Sequence, residues 1–159
     1  SRRRSAISKR NELFAEFMSA KKVVVVDLKW HHAAFTDTAK CGVPVFVPSK
    51  PSFNARLAMT AHVSRLPPKW GFSLLLGGVR MCGLDVNPGR GHTNFQLGQR
   101  ETVWDTHWCR WPELGHVVID SRVMSHLSWF RQFCIENSIE FSAVYRRPPH
   151  LGGEQLRLL

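Results

Sequence analysis

Two histidines, His92 and His107, flank a stretch rich in Gly, Asn and Arg, and each stands among groups suited to proton transfer. The first lies in Gly83-Leu84-Asp85-Val86-Asn87-Pro88-Gly89-Arg90-Gly91-His92-Thr93-Asn94, the second in Asp105-Thr106-His107-Trp108-Cys109-Arg110. Asp105, His107 and Cys109 alternate, so in a strand their side chains share one face. Imidazole is the side chain best poised to exchange protons near neutral pH, and a pair can act as base and acid. His92 and His107 are therefore the candidate acid–base groups, with Asp85 and Asn94 as supporting polar groups. Arg90, Arg100 or Arg110 would neutralise a phosphate, giving the outline of a metal-independent ribonuclease centre. Two imidazoles, a thiolate and a carboxylate are equally acceptable zinc ligands. A third reading is structural: a histidine in a Gly-Asn loop commonly bonds backbone, and Asp85 commonly pairs with an arginine.

No Walker-type, Rossmann or Gly-x-Ser-x-Gly motif is present, so neither nucleotide hydrolysis nor a bound cofactor is expected. His62, His116, His126 and His150 read as surface or satisfied residues, whereas His31-His32, beside Trp30 after the first strand, could contribute to a site at that strand's end. Adjacent strand residues point to opposite faces, so His31 and His32 cannot both serve one site.

Charge supplies the second constellation. In 159 residues, 22 Lys and Arg against 12 Asp and Glu leave a net +10, which favours a polyanionic partner. Arg2, Arg3, Arg4, Lys9 and Arg10 form a basic arm, read as a phosphate contact, with a solvated tail as the bland alternative. Arg90, Arg100 and Arg110 would extend the nucleic-acid face. Trp104, Trp108 and Trp111 crowd the same segment. Exposed, Trp108 would be a stacking platform for an unpaired base, worth roughly 1–3 kcal/mol; buried, these rings fill the core.

The elements that must position these groups follow from periodicity. Leu13, Phe14, Phe17 and Met18 predict a short helix after the arm 1–10, and Val23 to Leu28 a buried strand. Val43 to Val47 reads as a short edge strand, and Asn54 to Val63 as a strand with Leu57, Met59 and Ala61 inward. Trp70 to Leu76 and Val79 to Val86 flank Gly77-Gly78, a hairpin signal. Residues 87–101 read as a loop, Thr102 to Trp111 as one strand, and Val117 to Ile119 as its neighbour. Asp120-Ser121 predicts a cap for the main helix, whose stripe is Val123, Leu127, Phe130 and Cys134. Ile139 to Tyr145 alternates as a last strand, before a loose tail over 146–159. The expectation is one α+β domain: a mostly antiparallel curved sheet, one main C-terminal helix and a short N-terminal helix.

Cys41, Cys82, Cys109 and Cys134 are widely spaced, with no C-x-x-C pair, which predicts reduced thiols and a cytoplasmic protein. No apolar run approaches the roughly 18 residues of a membrane span, and no apolar segment follows the basic N-terminus, so neither membrane nor secretory signal is expected.

The Gly83-Leu84-Asp85-Val86 strand, the His92-Thr93-Asn94 turn and Asp105-Thr106-His107-Trp108-Cys109 resemble a small bacterial family of uncharacterised proteins. Its members carry an Arg-Leu-Asp strand, a Pro-His-x-Asn turn, a His-x-His strand and a closing amphipathic helix. The resemblance spans roughly residues 55–142, with Asp85, His92, Asn94 and His107 at matching positions. Cys109 stands where that family has its second histidine, and Arg90-Gly91 replaces its double proline. The resemblance implies a shared architecture and candidate site, not an activity.

Together these features predict a nucleic-acid-interacting protein, with RNA favoured over DNA, of a bacterial mobile-element or defence system. A small ribonuclease is its enzymatic version. The alternative class is a protein-interaction module, an inhibitor or adaptor of a larger nucleoprotein complex, since Trp and Arg also anchor protein interfaces.

Overall fold

The computed structural model describes residues 1–88, 91–96, 99–104 and 106–150, with side chains described in 1–88 and 106–150. In chain order, helix α1 (Arg2–Ser19) is followed by β1 (Lys22–Val24), β2 (His31–His32), β3 (Thr38–Val45) and β4 (Ala55–His62). Then come β5 (Lys69–Leu76), β6 (Val79–Val86), β7 (Gly91–Gln96) and β8 (Gln99–Trp104). The chain continues through β9 (Thr106–Arg110), β10 (Val118–Asp120), helix α2 (His126–Glu136) and β11 (Ile139–Phe141).

Seven strands form one antiparallel sheet in the order β10-β9-β6-β5-β4-β3-β2. The protein is thus α+β, as expected. Alternation decides its two faces. Ala39, Cys41, Val43 and Val45 of β3, Leu57 and Met59 of β4, Phe72 and Leu74 of β5, and Cys82 and Leu84 of β6 are buried. This inner face packs against Trp129, Phe130, Phe133 and Cys134 of α2 and Phe17 of α1 in one core. Between β5 and β6 the chain turns at Gly77 (φ 53°) and Gly78 (φ 81°), the left-handed pair that a tight hairpin requires.

Several boundaries move from the sequence reading. The 1–10 segment is not an arm leading into a helix but the first turns of α1 itself, capped by Ser1. β1 ends at Val24, and Val25 and Val26 are exposed. The expected loop over 87–101 contains β7 and much of β8, which pair only with each other, and the single strand over 102–111 becomes β8 and β9. The main helix starts at His126 under a Ser125 cap rather than at Asp120-Ser121, leaving Val123 81% exposed outside its stripe. Asp120 instead ends β10, where it accepts bonds from Trp108 Nε1 (3.1 Å) and Arg122 (2.6 and 2.9 Å). β11 pairs in parallel with β1, outside the large sheet. All four cysteines are buried and free. No helix among the described residues is long and apolar enough to cross a membrane.

Two buried polar side chains organise the helical layer. Lys22, 1% exposed, donates through Nζ to the carbonyls of Met18 (3.4 Å) and Ala20 (2.9 Å) at the end of α1. It also donates to Asn137 (3.0 Å) just past α2. His126 opens α2 inside an aromatic box: its ring stacks on Phe72 (5.0 Å) and meets the edges of Trp30 and Trp70. Nδ1 lies 2.6 Å from the Tyr145 hydroxyl. The sequence reading left His126 among the satisfied histidines, and this box is what surrounds it.

Burial drives the His126 pKa from 6.5 down to about 3, so the fold holds the ring neutral. Between those values the unfolded chain binds a proton that the native state refuses, so stability falls as pH drops from 6.5, by up to about 1.4 kcal/mol per unit. Denaturant titrations between pH 7 and 5 should therefore lose less stability in His126→Phe than in the wild type. Parallel pH profiles for the two proteins would show that the ring is not held neutral.

Candidate functional site

Among the described residues, the helices that build the main core lie on one face of the large sheet, and none lies on the opposite face. Across β6 and β9, Asp85 stands level with His107 and Gly83 with Cys109, so these side chains emerge together on that open face. The expected sharing of a face by His107 and Cys109 holds. His107 Nε2 lies 3.2 Å from Asp85 Oδ2. Arg80 joins them: Nη2 is 3.6 Å from Asp85 Oδ1, and Nη1 is 3.6 Å from Cys109 Sγ. The same guanidinium donates from Nε to Ser73 Oγ (2.9 Å) and from Nη2 to the Phe72 carbonyl (3.3 Å).

Arg80 is absent from the candidates named by sequence, and the reason is a bulge. By simple alternation it shares parity with the buried Cys82 and Leu84. A register shift between Leu74 and Leu75 sets Arg80 opposite Leu75 instead, on the open face. Its guanidinium then lies over Gly83, in the space that a Cβ there would fill. Gly71 is a second such position, since a methyl would meet Thr60 Oγ1 at 2.6 Å.

Burial acts to raise the Asp85 pKa, but the His107 hydrogen bond and the Arg80 charge outweigh it, and the carboxyl sits below its ordinary value. An ionised Asp85 orients the His107 imidazole through the 3.2 Å contact at Nε2, the arrangement by which a carboxylate positions a histidine for acid–base work. The partner-for-arginine reading of Asp85 is also realised, since Arg80 occupies its other oxygen.

The other sequence candidates fall into three groups. In the β7–β8 ribbon the backbone sets His92 level with Val103, Asn94 with Glu101, and Arg100 with Phe95. The side chains of His92, Asn94, Arg100 and Trp104, like Arg90 and Asp105, lie outside the described residues. Trp108 and Arg110 are on the helix-covered face. The Trp108 ring lies against Phe133 (5.9 Å, 11° between planes), so the core reading holds for it and it is no open stacking platform. Arg110 Nη1 donates to the Glu136 carbonyl (2.9 Å), capping the end of α2 rather than standing beside His107.

Arg2, Arg3, Arg4, Lys9 and Arg10 form the third group, all exposed on α1. Among the described residues, no three His, Cys, Asp or Glu side chains are grouped to hold a metal. The zinc alternative needed His92 or Asp105 to complete its ligand set.

Gly83→Ala tests how Asp85 is held. The added methyl must push the Arg80 guanidinium off Gly83, so the Asp85 pKa should rise toward its ordinary value, as followed by carboxyl-carbon NMR titration. An unmoved titration would show that Arg80 does not contribute.

Compared with known proteins, the chain matches no family model, no curated protein and no solved structure.

Proposed function

We propose that this protein binds nucleic acid, RNA in preference to DNA, and that α1 supplies its main phosphate contacts. One observation carries the reading. Among the described residues, 1–13 are exposed on every side of the helix; Phe14, Phe17, Met18 and Ala20 pack against the body, and Glu16 pairs with Lys50 (3.4 Å). Phe14 meets the Trp111 ring at 5.7 Å and Phe17 the Phe53 ring at 5.4 Å.

Among the described residues, none of Arg2, Arg3, Arg4, Lys9 or Arg10 has a carboxylate partner; the lysine and arginine ion pairs use Lys50, Arg65, Arg80 and Arg122. Three arginines crowd the first turn, where the helix dipole is positive and acidic residues are favoured, and no acidic residue is there. A helix projecting without a packed face, with its charges opposing its own dipole, has little intrinsic stability. Phosphates laid along it remove both penalties.

Fluorescence anisotropy with labelled RNA should show affinity falling steeply between about 50 and 200 mM salt. Replacing Arg2, Arg3 and Arg4 by Ala should weaken binding and reduce the slope of log K against log salt by about 2 to 3. Affinity indifferent to salt would refute the proposal.

The Asp85–His107 pair, oriented and partly exposed, favours RNA cleavage as a second reading. Cleavage by the wild type should then vanish in His107→Ala while RNA binding persists. Cleavage that survives replacement of both His92 and His107 would reject it.

A further inference from the structure

The open face of the large sheet combines cations with a floor of small residues. One row of level positions crosses all seven strands: His31, Lys40, Thr60, Gly71, Asp85, His107 and Ile119. The next row holds Gly42, Ala58, Ser73, Gly83 and Cys109, and beyond it lie Pro44, Arg56, Leu75 and Arg80. Lys69 faces the same side, level with His62. Among the described strand residues of this face, Lys40, Arg56, Lys69 and Arg80 stand with the Asp85 carboxylate, while Asp37 reaches His62 from outside the strands and Asp120 of β10 faces the helices.

Both arginines lie flat over glycines. Arg56 Nη2 is 2.9 Å from where a Gly42 Cβ would sit, and Arg80 covers Gly83. Gly42 and Gly83 are on β3 and β6, three strand spacings or about 14 Å apart.

We infer that this face is a contact surface for double-stranded RNA. The inference rests on the nucleic-acid reading above and names the form of nucleic acid. Unpaired bases are held chiefly by stacking on large aromatic rings, and the described strand residues of this face include no Phe, Tyr or Trp. Besides the histidines His31, His62 and His107 they present guanidinium, ammonium, hydroxyl and bare peptide. Those are the groups that contact phosphates and sugars. With Arg80 held by Asp85, the free pair is Lys40 and Arg56, one strand across and four residues along from each other or about 14 Å apart. That spacing suits phosphates of two strands across a groove rather than neighbours on one strand. The minor groove of B-form DNA, roughly 6 Å wide, must be bent open before a broad sheet can enter, whereas the A-form minor groove is already wide and shallow and displays 2′-hydroxyls. The Thr60 and Ser73 hydroxyls between the cations suit such a surface.

The test compares three labelled oligonucleotides of one sequence, single-stranded RNA, its RNA duplex and the DNA duplex, at matched salt. Each is measured against wild type, Lys40→Ser/Arg56→Ser, and the triple α1 variant. Lys40 and Arg56 are exposed, so their replacement leaves the core untouched. Wild type should bind the RNA duplex at least tenfold tighter than the single strand or the DNA duplex. The sheet variant should lose about tenfold for the RNA duplex, with a salt slope smaller by about 2, and little for the single strand. Equal binding of RNA duplex and single strand, a preference for the DNA duplex, or a sheet variant binding like wild type would each overturn the inference. In any of these cases a loss confined to the α1 variant leaves the general reading standing. No binding to any of the three removes both.

Discussion

Lys22 is the joint on which the arrangement of this molecule turns. Its ammonium is buried where the carboxyl end of α1 and the chain leaving α2 converge, with carbonyls of both as acceptors. The Phe17 ring lies 4.8 Å away. Desolvation, followed by the nearby Arg110 charge, brings the lysine pKa down to about 8, so burial of the cation is costly and its bonds to the carbonyls must offset that cost. A positive charge at two negative helix ends is also where the dipoles favour it. Arg110 adds a second cation at α2, bonding Glu136. The backbone is closed at the same place, since the Lys22 amide donates to the Ser138 carbonyl and β1 then runs parallel to β11.

That joint keeps α2 and the packed end of α1 on one side of the sheet, and the candidate chemistry follows from it. With the apolar positions of β3 to β6 turned toward the helices, every alternate residue is turned away. The face away from the helices consequently gathers Arg80, Asp85, His107 and Cys109. A bulged β6 brings Arg80 across from the parity of the core residues, and a glycine leaves the space in which its guanidinium lies. Register, a backbone irregularity and a missing Cβ together make an ion-paired cluster from residues scattered over the chain.

Cationic residues therefore fall into populations with different work. Lys22 and Arg110 are spent on helix ends, and Arg122 on Asp120, whose carboxyl it draws down to about 2. Arg80 is shared between Asp85 and the sheet. The five on α1 have no described acidic partner, and three of them, Arg2, Arg3 and Arg4, oppose the helix dipole in its first turn. This division separates structural cations from those still able to meet a phosphate, a distinction that net charge cannot make.

Much of the fold is legible in the residues themselves. Alternation in 55–63 and the Gly77-Gly78 turn depend on neighbours in sequence, and both elements are where the pattern puts them; so is the pairing of 117–119 beside β9. The cap of α2 was not readable, because Asp120-Ser121 and Ser125 are all competent N-caps, and only the pairing of β10 with β9 removes the first from the contest. The fates of Trp108 and Arg110 were equally hidden, since a strand pattern gives parity but not which parity faces the helices. Sequence alone determined the α+β class, the excess of positive charge, and the sharing of a face by His107 and Cys109, because these rest on composition and local spacing. Tertiary structure alone decided that Asp85 meets His107 and Arg80, that Arg110 serves a helix end, and which sheet face the helices cover. Those outcomes depend on inter-strand register and on where helices dock, and both are settled by contacts between residues far apart in the chain.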